Sequence, residues 1–250
     1  GGTDILIELE RNLRPDVDIL IDVTRVVGLD RIRCDESGTI RLGPLVTHNQ
    51  CVASSVIRTK AWPLAQACWE VGAPQIRNRS TLAGNLVTAS PANDTITPLI
   101  ALNGTVTLRS ASSERRIPLG EFYLGVRKTV MRPDEMLIDI SFPGLSGQES
   151  GMFLKMGLRR AQAIAVVNVA VIVLFSETKA GLICDRVRIA MGAVAPTIVR
   201  AIESERFLEG RLLDEAGIER ASELASEAAM PIDDLRSSAR YRVKMVHVLT

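Results

Sequence analysis

Two glycine-containing segments carry the residues best suited to chemistry. The first is Gly1-Gly2-Thr3-Asp4-Ile5. Two glycines permit positive φ and close backbone approach, and Thr3 or Asp4 can cap a helix beginning over Ile5 to Leu9. Amides exposed at such a turn suit an anionic oxygen, because a helix start carries unpaired N–H groups and partial positive charge. The same five residues also spell an ordinary turn. The second segment is Arg77-Asn78-Arg79-Ser80-Thr81-Leu82-Ala83-Gly84-Asn85, which leads through Leu86-Val87-Thr88 into Ala89-Ser90-Pro91-Ala92-Asn93-Asp94. Small residues crowd positions 80 to 94, so the backbone can lie against a flat or phosphorylated ligand while Thr, Ser and Asn supply hydrogen bonds. Gly84 can expose successive N–H groups to a diphosphate, and Asp94 is an acceptor suited to a ribose hydroxyl. An Asn/Ser-rich loop without a ligand has the same composition.

The elements that must position these residues follow from patterning. Ile19 to Val23 is an apolar run between aspartates and predicts a buried strand. Arg31 to Cys34 and Thr39 to Leu42 flank Asp35-Glu36-Ser37-Gly38, a turn-rich tetrad, and predict a hairpin. Thr47 predicts a helix cap with the helix running through Val56, and Pro63 suits the first turn of another over Trp62 to Val71. Strands are expected at Thr105 to Leu108 and at Met136 to Phe142, where Leu137 breaks an otherwise alternating pattern. Pro143 to Gln148 is a linker signal, which divides the chain into 1–146 and 147–250. Beyond it come three strand segments, Met152 to Gly157, Ala165 to Phe175 and Arg186 to Ala193. Three helical segments follow, Ile198 to Leu208, Asp214 to Met230 and Asp234 to Leu249. Strands followed by helices predict an α+β domain, a three-stranded antiparallel sheet under a three-helix layer.

Bulk properties narrow the function. Thirty Lys and Arg against 29 Asp and Glu leave a net charge of +1, with no concentrated basic face for nucleic acid. The longest apolar stretch, Ile164 to Phe175, is interrupted by Asn168 and is too short to span a membrane as a helix. No charged leader with an apolar segment opens the chain. Cys34, Cys51, Cys68 and Cys184 never fall in a C-x-x-C spacing, so core packing in a reducing cytoplasm is expected rather than a disulfide, zinc or iron–sulfur site. Neither histidine, His48 or His247, is expected to be catalytic. His48 reads as a helix-surface or capping residue, Trp62 and Trp69 as core residues seven apart on one helix face, Tyr123 as a packing tyrosine, and Arg159-Arg160 as a solvated pair.

Taken together, Gly1 to Ile5, Pro74-Gln75-Ile76-Arg77-Asn78-Arg79, Thr81 to Asn85 and Ala89 to Asp94 resemble the FAD-binding medium subunit of molybdenum hydroxylases of the carbon monoxide dehydrogenase and xanthine dehydrogenase type. The resemblance spans the whole chain. It implies a two-domain α+β protein, an FAD-binding domain like that of vanillyl-alcohol oxidase relatives followed by the family's C-terminal flavoprotein domain. It implies that Gly1, Gly2, Thr3, Asp4 and Ile5, with Thr81, Leu82, Ala83, Gly84 and Asn85, clasp the FAD diphosphate, and that Asp94 holds the adenosine ribose. Counting outward from Asn85 places Val71 beside the flavin, and Leu137 and Lys155 on further FAD-contact positions. No catalytic residue or metal ligand is implied in this chain. The implied partners are a molybdenum-cofactor large subunit and a small subunit with [2Fe–2S] clusters, which feeds electrons to FAD for transfer to NAD or another acceptor. Two departures stand out: Ala83 replaces a common glycine, narrowing the approach to the phosphates, and the family carries a strand–helix–strand unit before the double glycine and a continuation after Arg242-Val243-Lys244. They predict a trimmed cleft of reduced flavin affinity. They also motivate an alternative, a degenerate flavin domain acting as a non-redox scaffold for partner subunits.

Overall fold

The computed structural model describes residues 1–179 and 181–250. Helix α1 (Ile5–Glu10) buries none of its side chains. The expected strand at 19–23 does not form: the segment is coil, with Ile19 and Ile21 78% and 81% exposed. An apolar run becomes a strand only beside a ladder partner that takes up its amides and carbonyls, and among the described residues no strand pairs with it. The hairpin is present. β1 (Ile32–Cys34) pairs antiparallel with β2 (Thr39–Leu42), and Asp35 Oδ1 accepts the amides of Ser37 and Thr39 at 3.0 Å each.

Thr47 caps α2 (His48–Ala53) in a reciprocal box with Gln50, whose side chain accepts the Thr47 amide at 2.8 Å. The helix ends earlier than expected. Ser54 turns extended and caps α3 (Ser55–Lys60), and α4 (Trp62–Glu70) follows with Pro63 in its first turn. After α5 (Pro74–Arg77) and α6 (Leu82–Thr88) comes α7 (Ile96–Ala101), all six of whose residues are buried. β3 (Thr105–Arg109) and β4 (Glu114–Pro118) form a hairpin, and a small ribbon of β5 (Tyr123–Gly125) and β6 (Lys128–Thr129) leads to β7 (Met136–Pro143). The main sheet is antiparallel with order β1-β2-β7-β3-β4. A bulge in the β3–β7 ladder explains the broken alternation: the register shifts between Thr107↔Asp139 and Leu108↔Leu137, which turns Leu137 inward to 3% exposure.

The C-terminal part forms a four-stranded antiparallel sheet, order β11-β10-β9-β8, from β8 (Glu149–Gly157), β9 (Ala165–Thr178), β10 (Gly181–Gly192) and β11 (Val199–Arg200). The two-residue β11 is one strand more than expected. The three-helix layer is α8 (Ile202–Leu208), α9 (Glu215–Glu227) and α10 (Ala239–Leu249). Val166, Val187, Ile189 and Met191 pack there with Leu208, Ala221 and Val246. Arg242, 1% exposed, donates to Val166 O and Ala193 O and pairs with Asp234 at 2.6 Å, tying α10 to the sheet. Phe153, Ala170, Ile172 and Ala190 of this part share one apolar cluster with Leu64, Leu99 and Phe142. The two sheets are therefore joined through a common core, with α7 lying against β9 and β10. Among the described residues, no helix is long and apolar enough to cross a membrane.

Candidate functional site

The two glycine segments face one cleft of about 310 Å³, lined by Gly1 to Ile5, Val71, Thr81, Gly84 and Asn85 among others. They are also tied to each other. Gly1 N lies 2.6 Å from Arg79 O, and Thr88 Oγ1 of α6 donates to Asp4 Oδ2 at 3.1 Å. Gly2 adopts φ +90, a left-handed conformation that strains any residue with a Cβ, so the turn requires glycine there. Neither Thr3 nor Asp4 caps α1 with its side chain, contrary to expectation. The Asp4 carboxylate is committed across the cleft to Thr88. As a result, the amides of Gly2, Thr3, Asp4 and Ile5 have no hydrogen-bond partner among the described residues. Four free donors at a helix start are what an anionic oxygen needs.

The second segment divides its labour differently from the expected row of exposed amides. Leu82 N donates to Val46 O, Gly84 N to Thr81 Oγ1 and Asn85 N to Thr81 O. Thr81 thus spends its hydroxyl as the cap of α6. Leu82 and Ala83 are the buried inner face of that helix, 0% and 6% exposed, and neither lines the cleft. The Ala83 methyl therefore points into the core and narrows nothing, correcting the expected penalty for the missing glycine. Gly84 is the exposed residue of this turn and borders the cleft. A Cβ on it would sit 3.1 Å from Thr81 Oγ1. Asn85 holds the wall in place, its Oδ1 accepting from Thr95 at 2.6 Å and its carbonyl from Asn93 Nδ2 at 2.7 Å.

Three residues expected at the ligand do not line this cleft. Leu137 is packed in the core from β7, paired with Leu108 of β3. Asp94 and Lys155 form a buried ion pair at 2.6 Å, with side chains 8% and 4% exposed. It is Asn93, the preceding residue, that borders the cleft. Burial pushes the Asp94 carboxyl up to about 6, against the opposing pull of Lys155 and Asn168. Trp62 and Trp69 are not core residues: 44% and 59% exposed, they line a separate groove of about 580 Å³ between α4 and β8 that shares no lining residue with the cleft. The smaller cleft is the one that brings both glycine segments and the Gly2–Ile5 amides together.

His48 was missed by its sequence context. It is fully buried, borders the cleft, and places Nδ1 within 3.0 Å of Ser80 O and 2.9 Å of Ser80 Oγ. Its Nε2 has no partner among the described residues. Burial, with Arg77 nearby, lowers its pKa to about 4, so the ring is neutral at pH 7. Because the folded value lies below the unfolded one of about 6.5, the folded state binds fewer protons, and stability present at pH 7 is lost as pH falls toward 4. Relative to a His48→Gln variant, the wild type should lose about 2 kcal/mol of stability between pH 7 and pH 5. Urea unfolding at the two pH values checks this; parallel profiles would place the ring in water.

The two domains have relatives. Residues 1–145 match the family described as the FAD binding domain in molybdopterin dehydrogenase, and residues 153–250 match the CO dehydrogenase flavoprotein C-terminal domain. The chain is 33% identical to the nicotine 6-hydroxylase medium subunit of Paenarthrobacter nicotinovorans, over 100% of its own length and 85% of the relative's. It is 26% identical to the xanthine dehydrogenase FAD-binding subunit of Escherichia coli O157:H7, covering 100% and 84%. The structure of carbon monoxide dehydrogenase from Hydrogenophaga pseudoflava superposes with a TM-score of 0.90 at 27% identity, covering 99% of this chain and 84% of that one. Antiparallel sheets, the two-part architecture and these matches agree, and the chain belongs to the FAD-binding medium subunits of the molybdenum hydroxylase family.

Proposed function

We propose that this chain binds FAD in the cleft between Gly1–Ile5 and Thr81–Asn93 and passes electrons from the iron–sulfur clusters of a partner subunit to NAD or another acceptor. One observation carries the proposal: two glycine turns some 80 residues apart in sequence line the same cleft, one of them with four unpartnered amides. The residues present fit the group. The Gly2–Ile5 amides supply donors for a pyrophosphate, Gly84 leaves the opposite wall open, and Asn93 and Thr88 offer hydrogen-bonding groups beside it. Val71, at the C-terminal end of α4, offers an apolar wall for a planar ring. When bound, FAD supplies the one- and two-electron chemistry. The chain's own residues bind and orient it, and none has to move a proton, in keeping with a neutral, hydrogen-bonded His48.

The working unit in this reading has an FAD-binding domain over 1–146 and a C-terminal domain over 147–250. A molybdenum-cofactor subunit and a [2Fe–2S] subunit complete a cytoplasmic complex, a compartment that suits four free thiols. An absorbance scan and FAD titration of the purified chain test the proposal. Oxidised-flavin bands and saturable binding are expected; a colourless protein that takes up no FAD would favour the non-redox scaffold. Mass spectrometry of the native complex reads the partners.

A further inference from the structure

We propose that the groove between α4 and β8 is a docking site for a partner subunit, which seats there an apolar stretch with a carboxylate at one end and a cation at the other. The inference rests on the proposed role of this chain as one subunit of a complex, and its geometry is independent of the flavin. α4 carries two apolar faces. Leu64, Ala67 and Cys68, all 0% exposed, belong to the core. Trp62, Gln66 and Trp69, spaced i, i+4 and i+7, line the groove instead. A surface helix ordinarily turns its apolar stripe inward and a polar face outward, whereas this one turns two indoles outward. Val52 of α2 and Phe153 and Leu154 of β8 complete the apolar lining. The Arg77 guanidinium lies over the Trp69 ring, 4.9 Å from its centroid, and holds that indole in place. Tryptophan and arginine are the residue types that anchor protein interfaces, and the groove presents both.

Two observations select the occupant. β8 is the edge strand of its sheet, yet Gln66 Oε1 of α4 accepts its Phe153 amide at 2.9 Å. That donor is spent, so side chains rather than an added strand must fill the groove. The second observation is charge. Arg58 precedes α4 and Glu70 ends it, and both line the groove. Trp62 and Glu70 are about 12 Å apart along the helix axis, so the groove is positive toward one end and negative toward the other. Neither the Arg58 guanidinium nor the Glu70 carboxylate has an ion-pair or hydrogen-bond partner among the described residues. A small aromatic molecule would cover the indoles and leave the separated charges unpaired. A second copy would bring the same hollow, and two hollows face to face leave a void that packed interfaces do not keep. A polypeptide stretch with its own acid and base about two helical turns apart meets every feature.

The test compares the native complex with the full chain alone. Hydroxyl-radical footprinting should find Trp62 and Trp69 oxidised in the chain alone and protected in the complex. Arg58→Glu and Trp62→Ser, neither of which borders the cleft, should each weaken assembly roughly tenfold by native mass spectrometry, with FAD affinity unchanged. In the Arg58→Lys chain, zero-length carbodiimide coupling should join position 58 to an aspartate or glutamate of a partner subunit. Thermal denaturation verifies folding; should Trp62→Ser not fold, Arg58→Glu decides by the same readouts. Indoles oxidised equally in both preparations overturn the docking, as does a chain that associates with no other polypeptide. Protection that appears in the chain alone overturns it too: with a dimer in the mass spectrum it marks a second copy, and with a monomer a bound small molecule. If the chain takes up no FAD but its indoles are covered in the complex, the flavin reading fails and the docking stands.

Discussion

A Gly84→Val chain stays folded and fails to bind FAD, with affinity lowered roughly 100-fold or more, about 2.7 kcal/mol or above. Gly84 is the exposed residue of the α6 turn, and its Cα faces the cleft that also holds the Gly2–Ile5 amides. A Cβ would already meet Thr81 Oγ1 at 3.1 Å, so the side chain must either displace that cap or enter the cleft. A β-branched residue has one strongly preferred χ1 in a helix and cannot swing both methyls away. The cost to the fold is smaller, about 1–2 kcal/mol from the weakened cap and the lower helix preference of valine. Gly84→Ala, with one methyl, should fall between wild type and valine. Flavin fluorescence titration alongside thermal denaturation separates the effects; a valine variant with normal affinity would remove Gly84 from the site.

Gly192→Ala acts on stability. One methyl would overlap Asn168 Oδ1 and Thr97 Oγ1, both buried, and one of the two must leave its partner. Overpacking plus one orphaned buried polar group predicts a loss of about 2–4 kcal/mol in unfolding free energy. Gly147→Ala is the control: a Cβ there meets nothing within 4 Å, so the change should stay within about 0.5 kcal/mol. Equal urea midpoints for the two variants would show that the Thr97–Asn168 bond carries no load.

Local chemistry was legible in the sequence wherever one residue decides it. The Asp35–Gly38 turn, the Thr47 cap and the early Pro63 each act within four residues, and all three are where patterning put them. The C-terminal order of strands and then helices was equally clear. What failed depended on distant partners. Ile19 to Val23 has strand composition and no ladder neighbour. Leu137 breaks its alternation because of a bulge against β3, more than two dozen residues earlier. α7 is a short apolar run with no polar face to set its period, so it was invisible. At the site, the glycines were legible because positive φ and close approach demand them. The partition between Asn93 at the cleft and Asp94 at Lys155 was not, since it is set by a β8 residue some 60 positions away. His48 follows a cap, like many surface histidines, and nothing local announces Ser80 as its partner.

The most direct measurement follows backbone amides by NMR while the chain is titrated with ADP and, separately, with AMP, which lacks the pyrophosphate. The account predicts that ADP moves the resonances of Gly2, Thr3, Asp4 and Ile5 together with those of Ala83 and Gly84, in one saturable process with one affinity, and that AMP moves them much less. Shifts confined to one of the two turns, or two processes with different affinities, would contradict it.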